Sequence, residues 1–198
     1  MPPADLLLAL SLYAIVSSIT PGPNNLMLLA SGVNFGFRRT VPHMLGVSLG
    51  HSFMVVVVGL GLAGVFTAVP WARAVLTMLS VAYLLWLAWK IAHAAPPEPG
   101  AARGRPFTFL QAAAFQWVNP KAWTMALTAI ALYAQGPGVG PVLLVAGVFL
   151  CSNLPSIALW AATGSVLSRW LQDPGRLRAF NITMAVLLVA SLWPVIAP

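Results

Sequence analysis

The sequence predicts an all-α integral membrane protein with six transmembrane helices, arranged as two inverted three-helix repeats, the first helix of each repeat being broken near the membrane midplane. The composition predicts a membrane protein, because 60% of the 198 residues are hydrophobic and 7% are charged. Soluble domains have about 45–50% hydrophobic and about 25% charged residues. Two proline-containing interruptions at corresponding places in the two halves predict the repeat.

The charged residues exclude an ordinary water-soluble domain. Ten Lys and Arg side chains and three Asp and Glu side chains, with a net charge of +7, are too few to cover a soluble protein of this size. The basic residues are spread over short loops and form no dense stripe, so no nucleic-acid partner is expected. The lipid bilayer is the expected partner of the apolar surface.

Six apolar stretches are long enough to cross a bilayer, which takes about 20 mostly apolar residues. The chain starts without the basic region of a cleavable signal peptide, so the first stretch is expected to be a permanent span. Residues 1–198 are expected to form one transmembrane domain, in which 1–92 is repeat one, 107–198 is repeat two and 93–106 is a linker. The spans are predicted at residues 6–31, 41–69, 71–92, 107–134, 141–167 and 177–196.

Basic residues predict the orientation, because Lys and Arg are retained on the cytoplasmic side of a membrane. The opposite side has only Arg73 in the predicted arrangement. Both termini are therefore expected outside, with the linker in the cytoplasm. The cytoplasmic side would carry Arg38, Arg39, Lys90, Arg103, Arg105, Arg169, Arg176 and Arg178.

Two of the predicted spans contain segments that cannot continue a helix, because proline removes a backbone donor and glycine permits positive φ. About 15 residues, or about 22 Å of helix, precede the first segment, which places it near the middle of the bilayer. The second segment follows the start of its span by about a dozen residues. The two segments are Thr20-Pro21-Gly22-Pro23-Asn24-Asn25 and Val118-Asn119-Pro120-Lys121.

The two breaks are expected to face each other across a cavity. Irregular backbone at membrane depth is tolerated where it is buried in protein or lines water. Because each half has three spans, the second half is inverted relative to the first, and the two breaks enter from opposite sides. The half-helices that start near Pro23 and Lys121 would then converge, and their free N–H groups could hold a carboxylate. Alternatively, the prolines only kink packed helices, but the matched pair with its asparagines and lysine favours a substrate site.

Lys121 is the most informative residue, because an ammonium group at membrane depth is costly and usually marks a substrate path. No acidic residue lies deep in a predicted span, so a substrate carboxylate is the expected partner, and snorkelling to an interface is the alternative. The substrate ammonium would meet Asn or Gln oxygens, Thr20, or carbonyls freed at the first break. Gln116 and Asn153 are further candidates for the site, with hydrogen bonds between helices as their alternative role.

His51 is the candidate for proton coupling, because the predicted spans lack a deep Asp or Glu and histidine titrates near neutral pH. A hydrogen bond to a neighbouring helix is its alternative role, and Lys121 or protons carried on the substrate are alternative coupling groups. Gly46 and Gly50 form a small-residue face beside His51, which predicts close helix packing. The single cysteine, Cys151, excludes a disulfide within the chain and is expected to be a buried filler.

Several of these motifs also occur together in a known family. They are Thr20-Pro21-Gly22-Pro23-Asn24, Gly32, Gly36-Phe37-Arg38, the Gly46 and Gly50 region, and Val118-Asn119-Pro120-Lys121. Over nearly the whole chain the sequence resembles the LysE/RhtB amino-acid exporters, and Asn24-Asn25 with the segment 82–92 looks closest to the cysteine and O-acetylserine exporter branch. The resemblance implies homodimers that export a small amino acid or close derivative across the bacterial inner membrane, driven by the proton motive force.

Enzymatic activity is not expected. The sequence lacks a nucleophile elbow, an HExxH helix, a phosphate-binding loop and paired carboxylates, and an intramembrane hydrolase built on Cys151 or Ser152 would lack an oriented base. No metal or prosthetic cofactor is implied. The remaining alternative to a secondary transporter is a non-transporting assembly or scaffold protein, in which the paired polar breaks would have no evident use. The residues leave open which amino acid is carried.

Overall fold

The computed structural model describes residues 4–62, 68–93 and 104–193, and all regular structure in these ranges is helical. Most of the predicted linker, including Arg103, lies outside the described residues, as do residues 63–67 of the second predicted span and residues 194–196 of the sixth. The α-helices of the described ranges are α1 (Ala4–Ile19), α2 (Pro23–Phe35), α3 (Phe37–Val57), α4 (Pro70–Ala92), α5 (Phe109–Phe115), α6 (Pro120–Tyr133), α7 (Gly140–Leu167) and α8 (Pro174–Ala190).

Helix length and hydropathy support a multi-pass membrane protein. Within the described residues, the segments Phe37–Gly61, Ala74–Ala92 and Gly140–Leu167 are each long and apolar enough to cross a bilayer. The bent pair of α1 and α2 is a fourth such segment if it is counted as one span. The predicted all-helical membrane class is thus confirmed.

The first predicted break lies between α1 and α2, which are bent by 52° relative to each other. Gly22 before α2 is extended, with φ −179° and ψ 178°, a conformation open to any residue. Pro23 begins α2, where the missing proline N–H would have had no partner in the helix. The break is therefore shorter than the sequence motif, because helix resumes at Pro23.

The second predicted break is centred on Asn119. A 3₁₀ turn at Gln116–Val118 continues α5, Asn119 is extended with φ −92° and ψ 108°, and α6 begins at Pro120. The side-chain oxygen of Asn119 accepts a hydrogen bond from the backbone N–H of Lys121 at 3.1 Å, as a helix N-cap does. Asn119 thus ends one helical segment and caps the next.

Glycines bring α2 and α7 into backbone contact. A Cβ atom added at Gly32 would lie 2.2 Å from the carbonyl oxygen of Ala161, and one added at Gly164 would lie 2.2 Å from that of Leu29. Real Cβ atoms do not approach so closely. The piece of the broken helix that follows the first break is therefore packed directly on the backbone of α7.

Glycines also bring α3 against α5. A Cβ atom at Gly46 would lie 2.3 Å from the carbonyl oxygen of Phe109, and one at Gly50 would lie 2.6 Å from the Cα atom of Ala113. This confirms the close packing predicted for the small-residue face. Since α3 and α7 also contact each other, these two helices support both breaks.

Apolar side chains are exposed on the outside of the helices, as lipid contact requires. Cys151 on α7 is also exposed, so the expected buried position is wrong. In a membrane protein a small apolar side chain is equally suited to the lipid-facing surface, so its apolarity does not fix its position. The tryptophans near the predicted span ends are exposed as well: Trp71, Trp86, Trp89, Trp170 and Trp193.

Candidate functional site

A small cavity lies between the two breaks, with a free volume of about 20 Å³. That volume holds about one water molecule. Residues from α1, α2, α3, α6 and α7 and from both breaks meet there. The lining residues are Ser17, Ser18, Gly22, Asn24, Asn25, His51, Asn119, Lys121, Ala122, Met125 and Asn153.

Both helices that follow a break direct their N-terminal ends toward this cavity. Asn24 and Asn25, in the first turn of α2, line it, and no side chain caps that helix. Asn119 and Lys121, at the start of α6, line it from the other break. Since the N-terminus of a helix carries free N–H groups and a partial positive charge, the cavity favours an anion.

Side-chain donors satisfy the carbonyls that α1 releases at its end. Asn25 donates from Nδ2 to the carbonyl oxygens of Ser18 and Thr20, each at 2.8 Å. Trp160 of α7 donates from Nε1 to the carbonyl oxygen of Ile19 at 3.0 Å. The end of α1 is therefore fixed by the residues that follow the break and by α7.

Lys121 crosses from the second break to the first. Its side chain is half-buried, and its Nζ donates to the carbonyl oxygen of Thr20 at 2.5 Å and more weakly to that of Pro21 at 3.4 Å. A Cβ atom at Gly22 would lie 2.7 Å from the Cδ atom of Lys121. A side chain at Gly22 would therefore require the lysine stem to shift, and the ammonium is held by protein carbonyls.

No fixed carboxylate balances this ammonium in the described part of the chain. Asp5 lies in the first turn of α1 and Asp173 is the N-cap of α8, and neither lines the cavity. The positive charge of Lys121 and the two helix N-termini therefore act in the same direction. An anionic group of a ligand is the partner that this arrangement lacks.

His51 and Asn153 present unsatisfied polar atoms where they line the cavity. His51 is 2% exposed and Asn153 is 5% exposed, and within the described residues neither Nε2 of His51 nor Oδ1 of Asn153 has a hydrogen-bond partner. The amide nitrogen of Asn153 donates to the Ser18 hydroxyl at 3.3 Å. Because buried polar atoms are nearly always paired, these two are available to water or a ligand.

The predicted site residues are brought together, but they do not all line the cavity. Gln116 lies behind the wall, fully buried, and pairs with Asn24. Thr20 and Pro21 are exposed and form the rim through their contacts with Lys121, while Pro23 and Pro120 begin the two helices. Four lining residues were not predicted from the sequence: Ser17, Ser18, Ala122 and Met125. The two serines just before the first break are the polar pair that could have been recognised.

An apolar helical chain with a polar, cation-bearing cavity between two interrupted helices has the form of a membrane transport protein. The sequence profile of the family described as LysE type translocator matches residues 15–190. The chain therefore belongs to the LysE type translocator family. It is a multi-pass membrane protein of a transporter family and not an enzyme, and the family supports amino-acid export and an inner-membrane location.

Similar proteins of known name are efflux proteins. Proteins named cysteine/O-acetylserine efflux protein from Escherichia coli (strain K12) and Shigella sonnei (strain Ss046) are 32% identical over 191 residues, covering 93% of this chain and 94% of theirs. A third, from Escherichia coli O139:H28 (strain E24377A / ETEC), shows the same identity and coverage. No solved structure matches the chain.

Proposed function

We propose that this protein exports a small neutral amino acid or close derivative across the inner membrane, with cysteine and O-acetylserine as the first candidates. One observation carries the proposal: two helix N-termini, the Lys121 ammonium and the unpartnered atoms of His51 and Asn153 share one cavity. The relatives named as cysteine/O-acetylserine efflux proteins support this choice of substrates. A scaffold protein has no use for such a cavity.

The proposed transport unit has six spans in two inverted repeats. In that arrangement α1 and α2 correspond to α5 and α6, α3 corresponds to α7, and α4 corresponds to α8. The packing supports this arrangement. The contact of α3 with α5 in one direction has its counterpart in the contact of α7 with α1. In addition, α3 contacts α7 and α4 contacts α8, so helices that correspond to each other lie side by side. Alternating access would follow from movement of one half against the other around the two breaks.

Substrate binding is assigned by charge. The substrate carboxylate would be held by the N-terminal N–H groups of α2 and by the ammonium of Lys121. The positive end of α6 adds to the attraction, although Asn119 already caps the N–H of Lys121. The substrate ammonium would meet the oxygen atoms of the cavity or its rim. Among the described residues no acidic side chain lines the cavity. A second positive charge, as on lysine, would therefore have no partner there, and lysine is expected to be the poorest substrate.

The cytoplasmic side is proposed to be the side with the Arg-rich loops, which puts both termini outside. One contact supports a common side for two of these loops: Nη2 of Arg39 at the start of α3 donates to the carbonyl oxygen of Gly104 before α5, at 3.5 Å. Coupling to the proton motive force is proposed to use His51, which lies in the cavity wall. The homodimer stays a prediction.

Counterflow in proteoliposomes tests the function. Liposomes loaded with unlabelled cysteine, O-acetylserine, threonine or lysine are diluted into the same labelled compound, with protein-free liposomes as the control. Saturable accumulation of a neutral amino acid, with lysine the weakest, is the expected result. No accumulation of any of the four by folded, inserted protein would favour the scaffold function and contradict the proposal.

A further inference from the structure

The carbonyl oxygens of Thr20 and Pro21 form a binding position for an ammonium group. Lys121 fills it now, with its Nζ 2.5 Å from the first oxygen and 3.4 Å from the second. An α-ammonium group has the same charge and the same three donors as a lysine ammonium. A substrate ammonium is therefore a chemical match for the position that Lys121 occupies.

The cavity takes an amino acid only if one of its wall groups moves. Its free volume of about 20 Å³ is that of about one water molecule. Lys121 is the wall residue with the longest flexible stem, and it is held at the exposed rim by two hydrogen bonds and not by an ion pair. The stem lies against Gly22, which has no side chain.

We propose that the substrate α-ammonium takes the Thr20 and Pro21 carbonyls by displacing Lys121, and that the released ammonium of Lys121 then pairs with the substrate carboxylate. This inference rests on the proposed function and names how the site selects its substrate. One ammonium replaces another at the carbonyls, so the hydrogen bonds are conserved. The substrate carboxylate supplies the only new attraction, because it becomes the partner of the Lys121 ammonium that has left the carbonyls.

The exchange makes the site selective for zwitterions. An amine without a carboxylate would have to displace Lys121 from the two carbonyls without supplying a carboxylate to pair with the released ammonium. Because Lys121 is part of the chain, its ammonium also competes for the two carbonyls at a high effective concentration. In the wild-type protein cysteamine, the decarboxylated form of cysteine, is therefore expected to bind far more weakly than cysteine.

Equilibrium binding of labelled cysteine and labelled cysteamine to detergent-purified protein under reducing conditions tests the exchange. The variants are Lys121→Ala, and Lys121→Met, which fills the volume of the lysine stem in case the alanine variant folds poorly. Lys90→Ala is the matched control, since Lys90 lies at the end of α4 over the ring of Trp86 and does not line the cavity.

Both Lys121 variants are expected to bind cysteamine on the order of tenfold more tightly than the wild type, and cysteine more weakly, so that the preference reverses. The control should keep the wild-type preference. Cysteamine binding that is unchanged or weaker in both variants would overturn the exchange. Failure of the proposed function is seen separately, as the absence of counterflow by the wild-type protein.

Discussion

The side-chain amides of Asn24 and Gln116 hydrogen-bond each other in both directions. Nδ2 of Asn24 donates to Oε1 of Gln116 at 2.8 Å, and Nε2 of Gln116 donates to Oδ1 of Asn24 at 3.2 Å. The two residues are 92 positions apart and belong to different halves of the chain. Each break is therefore joined directly to the other by this pair of hydrogen bonds.

Removal of one amide from this pair is expected to destabilise the protein. Asn24→Leu leaves the buried side-chain oxygen of Gln116 unpaired, although Nε2 of Gln116 still donates to the carbonyl oxygen of Ala112 at 2.9 Å. Gln116→Leu leaves the Asn24 amide unpaired, and each loss costs about 1–3 kcal/mol. The double variant should cost less than the sum of the single ones, because it leaves no orphaned partner. Thermal unfolding of the four proteins in detergent measures this, and strictly additive losses would show that the pair is not energetically coupled.

A methyl group at Gly22 is expected to impair transport without unfolding the protein. The Cβ atom of Gly22→Ala would lie 2.7 Å from the Cδ atom of Lys121, so the lysine stem must shift within the site. The KM for counterflow should rise by about tenfold, which corresponds to about 1.4 kcal/mol. Gly147→Ala on α7 is the matched control, because an added Cβ atom there meets nothing within 4 Å. Equal KM values for the two variants would contradict the close fit of Lys121 over Gly22.

The proposed orientation predicts which loops can be labelled from outside. In a Cys151→Ser background, cysteine at the exposed position Val139, before α7, should react with an impermeant maleimide added to intact cells. Cysteine at the exposed position Gln172, before α8, should react only after the membrane is permeabilised. The reverse pattern would invert the topology, and labelling of both from outside would contradict a span at α7.

His51 is expected to be needed for proton coupling but not for exchange. His51→Gln should retain counterflow, since that assay needs no net proton movement, and should lose the stimulation of transport by an imposed pH gradient. His93→Gln is the control, because His93 is exposed at the end of α4. Stimulation that persists in His51→Gln would assign the coupling to Lys121, which also lines the cavity, or to protons carried on the substrate.

Local chemistry explains what could be predicted from the sequence. Proline and glycine restrict the backbone wherever they occur, so both breaks were predicted, and the start of α2 at Pro23 follows from the same rule. An intramembrane lysine is costly in any fold, which singled out Lys121. The small-residue face of α3 was similarly recognisable at Gly46 and Gly50, because close helix approach needs small side chains.

The remaining features of the site depend on how the helices pack against each other. The sequence does not show that Lys121 reaches the Thr20 and Pro21 carbonyls, because that contact depends on how α6 lies against the end of α1. The pairing of Asn24 with Gln116 and the part played by Ser18 depend in the same way on neighbours distant in sequence. Cys151 was misplaced because an apolar residue on α7 suits either lipid or the core.

The most direct measurement compares Lys121→Ala with Lys90→Ala in counterflow of the neutral amino acid that the wild-type protein exchanges. Loss of the Lys121 ammonium removes the charge that meets the substrate carboxylate, and about 2 kcal/mol or more, equivalent to about 30-fold in apparent affinity, is expected to be lost. Lys90→Ala should exchange as the wild type does. Undiminished, saturable counterflow by folded Lys121→Ala protein would contradict a substrate site between the two breaks.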